Sequence, residues 1–203
     1  RHIDRLEQNK VELASAGTVS PNADVVRIMS IHKSKGLEFP VCIIANCSGN
    51  FNKESLKNNM ILHSKIGVGI KRRNTKNMHE FSTIMHTATK LAVENDEISE
   101  EMRVLYVAMT RAKEKIITVL SINKPQNKIK SLGANILNQD SIPTFAVRKS
   151  QNYADWLLYA SLRHPDAVAL RSLLPDVEIQ TMPADFKLDV VFGEAQPQNE
   201  ITE

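Results

Sequence analysis

Residues 100–120, EEMRVLYVAMTRAKEKIITVL, decide the fold, because they are typical of an amphipathic helix that runs directly into a buried strand. The helical spacing of five apolar residues predicts one buried stripe along Met102, Leu105, Tyr106, Met109 and Ala112. Ser99 is the expected N-cap, and the apolar run at 116–120 predicts a strand covered on both faces. Arg111 lies nearly opposite the stripe, so we expect its guanidinium to point out of the domain.

A polar turn between two apolar runs lies upstream of this stretch. The pattern predicts a strand over residues 25–31, a turn over 32–38 and a second strand over 40–45. A polar segment between two buried strands lies at the edge of a sheet, where open α/β sheets carry ligand sites. Gly36 allows a tight turn or the close approach of a ligand. A purely structural turn with solvated lysines fits the same pattern.

Both stretches resemble known motifs of one family. Residues 99–116, SEEMRVLYVAMTRAKEKI, resemble motif VI of the UvrD-like superfamily 1 DNA helicases. Residues 26–41, VRIMSIHKSKGLEFPV, resemble motif V of the same family, and the two motifs occur in the correct order. The resemblance implies an α/β fold, namely part of the RecA-like, P-loop NTPase-like second motor domain of such a helicase.

The resemblance also implies roles for individual residues. In these helicases ATP binds between two RecA-like domains, and by motif position Arg111 is the expected arginine finger that stabilises charge on the γ-phosphate. Gly36 and Glu38 are the other expected ATP-binding residues, with Glu38 on the nucleotide ribose. Four residues are expected to face single-stranded DNA: His32, Lys33, Ser34 and Lys35. Each has an ordinary alternative, such as Glu38 as a surface carboxylate or His32 as a turn residue.

Two elements of an ATP hydrolase are missing from the sequence. No GxxxxGK[ST] phosphate-binding loop occurs. The one adjacent Asp-Glu pair, Asp96 and Glu97, lies in a polar helical stretch, where it does not fit the acidic motif that binds magnesium. We therefore expect this chain to be inactive as an ATPase alone and to bind no metal. ATP and Mg²⁺ are expected as cofactors of the full-length protein.

Three shorter stretches narrow the resemblance. FNKESL at 51–56, LHSKIGVG at 62–69 and NYADWLLYASLRHP at 152–165 resemble the AddA subunits of the ATP-dependent helicase/nucleases of bacterial double-strand-break repair. The implied function is to unwind and process double-stranded DNA ends in recombinational repair. The implied partners are single-stranded and double-stranded DNA, the first RecA-like domain of the same polypeptide and an AddB-like second subunit.

The remaining pattern divides the chain into four segments. They are a helix end and linker at 1–24, the RecA-like domain at 25–122, an irregular α+β extension at 123–194 and a disordered tail at 195–203. Within them the sequence predicts a hairpin over 61–70, a helix over 81–98 that is continuous with the next helix or broken near Asn95, and a helix over 152–164. Residues 125–143 are predicted to be mostly loop, and 177–180 and 188–192 to be strands.

Composition sets wider bounds. The chain has 203 residues, 42% of them hydrophobic, and a formal charge of +3. No apolar run approaches the ~20 residues that a membrane-spanning helix needs, and we expect a cytoplasmic protein. Cys42 and Cys47 fit neither a redox pair nor a metal site and are expected to be free thiols. A basic segment between Lys53 and Lys90 is expected either to follow a phosphate backbone or to be a solvated loop.

Two other classes of function remain open from the sequence. A metal-dependent nuclease is suggested by a loose PD…DxK pattern at Pro175, Asp176, Asp185 and Lys187. A non-catalytic docking or DNA-guiding module is suggested by a helix face that carries Tyr153, Trp156 and Leu157 and could bind a partner. The ordinary alternative for those aromatic residues is burial in the core of this domain.

Overall fold

The computed structural model of the protein describes residues 25–137, 140–174 and 179–193. By its contacts the chain divides into two units, Arg1–Ser30 and Ile31–Glu203. The helix end and linker predicted for 1–24 and the tail predicted for 195–203 lie outside the described residues. In the first unit, residues 25–30 form no strand, so the strand predicted for 25–31 is wrong. A strand needs a hydrogen-bonded neighbour, and no described strand pairs with this segment.

The second unit is a mixed α/β structure. Its strands are β1 (Phe39–Ile44), β2 (Met60–His63), β3 (Gly67–Arg73), β4 (Glu80–Ser82) and β5 (Ala112–Thr118). Its helices are α1 (Ile84–Met109), α2 (Pro125–Ile136), α3 (Thr144–Lys149), α4 (Tyr153–Leu162) and α5 (Val168–Arg171). β1 and β5 form a parallel pair, and β2, β3 and β4 form an antiparallel sheet in that order. The α/β class predicted from the sequence is therefore observed.

Helix α1 is continuous through the position where a break was possible. It begins after Thr83, whose side chain accepts a hydrogen bond from the His86 backbone N–H at 3.1 Å. The prediction that Ser99 is an N-cap is wrong, because Ser99 lies inside the helix and donates its hydroxyl to the Asn95 carbonyl at 2.8 Å. Such a bond to the preceding turn lets a serine occupy a helix interior.

The buried side of α1 differs from the predicted stripe. Ile98, Leu105 and Ala108 are buried, whereas Met102, Tyr106 and Met109 are exposed. Ala112 belongs to β5, which begins four residues earlier than predicted. The strand is also not covered on both faces by the described residues, since Ile116 and Ile117 are 36% and 39% exposed. Helical spacing identified the helix, but the choice of buried side depends on what packs against it.

The predicted hairpin is confirmed as β2 and β3, which pair antiparallel across the turn at 64–66. Ile61 is buried and lies opposite Gly69 in the pair. The backbone of β3 at Gly69 passes directly over α1, because a Cβ at this position would lie only 2.7 Å from the His86 Cα. The hairpin and the amino-terminal half of α1 are thus in close backbone contact.

The substitution Gly69→Ala should lower the free energy of unfolding by about 1–3 kcal/mol. The added methyl would also lie 2.9 Å from the Met85 carbonyl oxygen, and backbone atoms cannot move aside as a flexible side chain can. Thermal or urea unfolding of the 203-residue chain measures the change. The control is Gly193→Ala, where a Cβ would meet no atom within 4 Å. Equal stability of the two variants would contradict the close packing.

The region after residue 123 is more helical than predicted. Residues 125–136, expected to be loop, form α2, which begins at Pro125 and buries Ile129, Leu132 and Ile136. Proline is compatible with the first turn of a helix. The strand predicted for 188–192 is wrong, because those residues carry no regular secondary structure. Of the strand predicted for 177–180, residues 177 and 178 lie outside the described residues, and 179 and 180 are not in a strand.

Helix α4, the predicted helix of residues 152–164, is confirmed and lies in the core. Its N-cap Asn152 accepts from the Asp155 N–H at 3.1 Å. Trp156 is 7% exposed, and its indole N–H donates to the Val147 carbonyl at 3.0 Å. Tyr153 and Leu157 are half-buried beside Ile44 and Ala108. The predicted docking face is therefore wrong, since the side chains proposed for it pack inside this unit.

No helix in the part of the chain that the structure describes combines the length and the apolar character that crossing a membrane requires.

Candidate functional site

Two turns that are distant in the sequence meet at the amino ends of β1 and β5. One is residues 31–38, which lead into β1, and the other is residues 110–111, which join α1 to β5. The parallel pairing places Phe39 beside Ala112, so the residues before both strands are neighbours. The backbone N–H of Phe39 donates to the Arg111 carbonyl at 2.9 Å. The two stretches that resemble motifs V and VI thus form one surface.

Arg111 lies on the turn after α1 and not on the helix, because the helix ends at Met109. Its Nε donates to the Val107 carbonyl at 3.0 Å and its Nη1 to the Leu37 carbonyl at 3.1 Å. Its Nη2 donates to the Thr110 hydroxyl at 3.0 Å. The prediction of a position opposite the helix stripe is wrong, and the side chain folds back over its own turn towards residues 36–38.

The partners of Arg111 leave it able to bind an anion. A guanidinium has five N–H donors, and three neutral acceptors use only part of this capacity. Among the described residues, no carboxylate lies within ion-pair distance of this side chain. The Cys42 thiol is close by, and burial raises its pKa although the positive charge of Arg111 opposes the shift. A cation held by neutral dipoles suits recognition of a phosphate.

Glu38 lies next to the carbonyl that Arg111 contacts. Its Oε2 is 3.1 Å from the Nζ of Lys113, and both side chains are largely exposed. An exposed ion pair of this kind contributes little to stability, so the carboxylate can exchange Lys113 for another hydrogen-bond donor. Gly36 has a φ of +82°, a conformation that favours glycine, and a Cβ there would meet no atom within 4 Å. The turn at 36–38 is therefore open to a ligand.

The residues predicted to face DNA form a short 3₁₀ turn at His32–Ser34 followed by Lys35. His32, Lys33 and Lys35 are exposed, whereas Ser34 is buried. The Ser34 hydroxyl donates to the Ile31 carbonyl at 2.7 Å and so closes the turn. The structure therefore presents three of the four predicted side chains at the surface and uses the fourth internally.

Sequence reasoning missed three contributors to this surface. The Leu37 carbonyl accepts from Arg111, the Thr110 hydroxyl does the same, and Lys113 pairs with Glu38. Thr110 and Lys113 stand one and two residues from Arg111 in the sequence, so proximity to the motif was the available signal. A backbone carbonyl such as that of Leu37 has no signature in the sequence.

The residues of the loose nuclease pattern do not form a metal site in the described part of the chain. Asp185 and Lys187 are exposed, and the Lys187 Nζ lies 3.9 Å from Asp189 Oδ1. Pro175 and Asp176 lie outside the described residues. Across 25–137, 140–174 and 179–193, no group of three His, Cys, Asp or Glu side chains is placed to hold a metal ion.

Comparison with known protein families matches residues 4–123 to the UvrD-like helicase C-terminal domain. The chain is also similar to curated proteins named as the AddA subunit of an ATP-dependent helicase/nuclease. The protein of Ruminiclostridium cellulolyticum is 40% identical over 171 residues, which cover 84% of this chain and 14% of that protein. The protein of Moorella thermoacetica is 36% identical over 206 residues, 97% of this chain and 14% of that protein. The chain thus spans only a small part of these relatives.

Proposed function

Because the chain belongs to the UvrD-like helicase C-terminal domain family, we propose that it acts as the second RecA-like motor domain of a longer ATP-dependent DNA helicase. Its similarity to the AddA proteins extends the proposal to a helicase/nuclease that unwinds and processes double-stranded DNA ends. The observation that carries the proposal is the 3.1 Å hydrogen bond from Arg111 Nη1 to the Leu37 carbonyl, which joins the two motifs at one surface.

In this proposal ATP binds between this surface and another domain of the same polypeptide. That domain supplies the phosphate-binding loop and the Mg²⁺ ligands, which this sequence lacks. Arg111 exchanges the Leu37 carbonyl for the γ-phosphate and stabilises the charge that develops there during transfer. Glu38 accepts a hydrogen bond from the ribose, and Gly36 permits the nucleotide to approach the backbone closely. This chain alone then binds part of the nucleotide and does not hydrolyse it.

The same short segment links the nucleotide to DNA. His32, Lys33 and Lys35 are exposed and are proposed to contact single-stranded DNA, with binding that weakens as salt is raised. Glu38 lies only three residues after Lys35, across the Gly36 turn. A shift of residues 37 and 38 towards or away from ATP can therefore move the DNA-contacting side chains. This arrangement supports coupling of hydrolysis to movement along DNA.

The uncovered apolar surfaces also support a larger motor domain. Parallel sheets are found with both faces buried, yet Ile43 of β1 is 62% exposed and Ile117 of β5 is 39% exposed. Tyr106 on α1 is 67% exposed. We propose that strands and helices beyond the described residues complete this sheet, and that the whole protein works on chromosomal DNA in the cytoplasm with a second helicase/nuclease subunit.

The proposed function is tested by DNA-stimulated ATP hydrolysis and strand separation by the full-length polypeptide. Both activities should be present, and a chain limited to residues 1–203 should show neither. An absence of DNA-stimulated turnover in the full-length polypeptide would contradict the motor assignment.

Glu38→Ala should raise the KM for ATP about tenfold or more and leave kcat nearly unchanged, since a hydrogen bond to a charged group contributes about 1.5–3 kcal/mol. The native enzyme should also distinguish ATP from its 2′-deoxy or 3′-deoxy analogue, and the variant should lose that discrimination. Steady-state kinetics of the full-length polypeptide with the three nucleotides measures both effects.

Lys113→Ala is the matched control, because it removes the observed partner of Glu38 without removing the proposed ribose contact. Its KM should change by less than about threefold, as expected for an exposed ion pair. If Glu38→Ala retains the native preference for the ribose hydroxyl, Glu38 does not contact the sugar.

A further inference from the structure

The β2–β3–β4 sheet has one face on α1 and one face that the described residues leave uncovered. Side chains alternate between the two faces of a strand. Ile61 and the Gly69 backbone face α1. The neighbouring pairs, Met60 with Ile70 and Leu62 with Val68, therefore lie on the other face.

This other face is apolar and continuous. Phe81 of β4 pairs with Arg72, which follows Ile70 by two positions and so lies on the same side of β3. We call the five large side chains the outer face: Met60, Leu62, Val68, Ile70 and Phe81. They are between 45% and 64% exposed. Single exposed apolar residues are common, but a contiguous apolar group on one sheet face marks an interaction site.

The margin of the outer face is basic. Residues 55–79 contain no Asp or Glu, and they contain six cationic residues: Lys57, Lys65, Lys71, Arg72, Arg73 and Lys76. An occupant complementary in charge carries carboxylates or phosphates around its contact area. Single-stranded nucleic acid binds on successive aromatic rings, and Phe81 is the one aromatic residue of the outer face. Aliphatic side chains at the centre therefore favour a protein surface over a nucleic acid.

We propose that the outer face docks against another segment of the same polypeptide, outside residues 1–203, whose surface is apolar at its centre and carries carboxylates at its margin. The proposal rests on the proposed function only in taking this chain as part of a longer polypeptide, as its 14% coverage of the AddA relatives supports. A segment tethered in the same polypeptide covers the face at a high effective concentration. A second copy of this chain would bring two basic margins together.

The test is hydroxyl-radical footprinting of the purified full-length polypeptide, without any other subunit. Oxidation of Met60 and Phe81 is followed by mass spectrometry and normalised to the urea-unfolded polypeptide. At 55% and 51% exposure, these side chains left uncovered would react at roughly half the unfolded rate. Docking excludes water from the face, so we expect oxidation about fivefold slower than in the uncovered case. This protection should not depend on protein concentration.

Variants assign the protection to the outer face. Leu62→Glu places a charge at its centre, and Arg72→Glu reverses a charge at its margin. Either should return the oxidation of Met60 towards the uncovered rate, a rise of about fivefold. Lys90→Glu reverses an exposed charge on α1 away from the outer face and should leave the oxidation of Met60 unchanged. Arg72→Glu keeps the test informative if Leu62→Glu does not fold.

Three outcomes would overturn the proposal. They are reaction of Met60 and Phe81 at the uncovered rate, protection that requires a second subunit, and protection that increases with concentration as it would for a second copy. DNA-stimulated ATP hydrolysis is measured on the same preparation. Protection without hydrolysis would retain the docking surface and contradict the motor function, and hydrolysis without protection would do the reverse.

Discussion

Replacing Arg111 with Ala in the full-length polypeptide should lower kcat for ATP hydrolysis by about 10³-fold or more, as loss of an arginine finger does in other nucleotide hydrolases. ATP should still bind, because the phosphate-binding loop lies elsewhere in the polypeptide. The physical reason is that Arg111 is a permanently charged, planar donor held by neutral acceptors. Its charge is therefore available to the γ-phosphate when charge develops there. Single-turnover hydrolysis and a separate ATP-binding assay measure the two quantities.

Arg103→Ala is the matched control for Arg111→Ala. Arg103 is an exposed arginine on the same helix, paired with Glu100 one turn earlier, and its removal should leave kcat within about twofold. Arg111→Lys keeps the charge but loses the planar fork, and it should remain well below the native rate. If Arg111→Ala instead raises KM with kcat unchanged, the residue binds ground-state ATP and is not a finger.

The stretch at 100–120 shows what sequence patterns could and could not establish. Its order of helix then strand was predictable, because apolar periodicity changes from helical to extended within a few residues. The buried side of the helix was not predictable, since Leu105 packs against Trp156 of α4 whereas its neighbour Tyr106 is mostly exposed. The position of Arg111 on a turn depended on where α1 ends, and helix ends are the least certain part of a pattern.

The region after 123 shows a different source of error. Pro125 and Gly133 were taken as signs of a loop, although proline fits the first turn of a helix. Ile129, Leu132 and Ile136 had the spacing of one helix face, so α2 was recoverable from the sequence. The strand predicted at 25–31 was not testable by pattern alone, because a strand depends on a neighbour that the described residues do not supply.

The candidate site was predictable only in part. The resemblance to motifs V and VI selected Arg111 and Glu38, and the structure brings their turns together through Leu37. No pattern of residue types could reveal that contact, because its acceptor is a backbone carbonyl. Ser34 illustrates the same limit, since no pattern of residues indicated that its hydroxyl closes the turn beneath the exposed His32 and Lys35.

Trp156→Ala should lower the free energy of unfolding of the 203-residue chain by about 3–5 kcal/mol. At the usual sensitivity of a chain of this size, the melting temperature should fall by about 6–20 °C. Trp156 is buried against Ile98 and Leu105 of α1, and its ring centroid lies 5.1 Å from that of Phe51. Removal of the indole leaves a cavity between α1 and α4 and leaves the Val147 carbonyl without its donor. Denaturant unfolding followed by circular dichroism measures the loss.

Two further substitutions separate the core role of Trp156 from a docking role. Trp156→Phe keeps most of the ring but loses the indole N–H, so it should lower stability by about 1–3 kcal/mol, the cost of an unsatisfied carbonyl. Phe145→Ala is the matched control, because Phe145 is an aromatic residue on α3 that is 51% exposed, and the change should stay within about 1 kcal/mol. If Trp156→Ala were as mild as Phe145→Ala, α4 would not be part of the core. Its aromatic face would then be available to a partner, and the structure would need a different account of how the helical region is joined to α1.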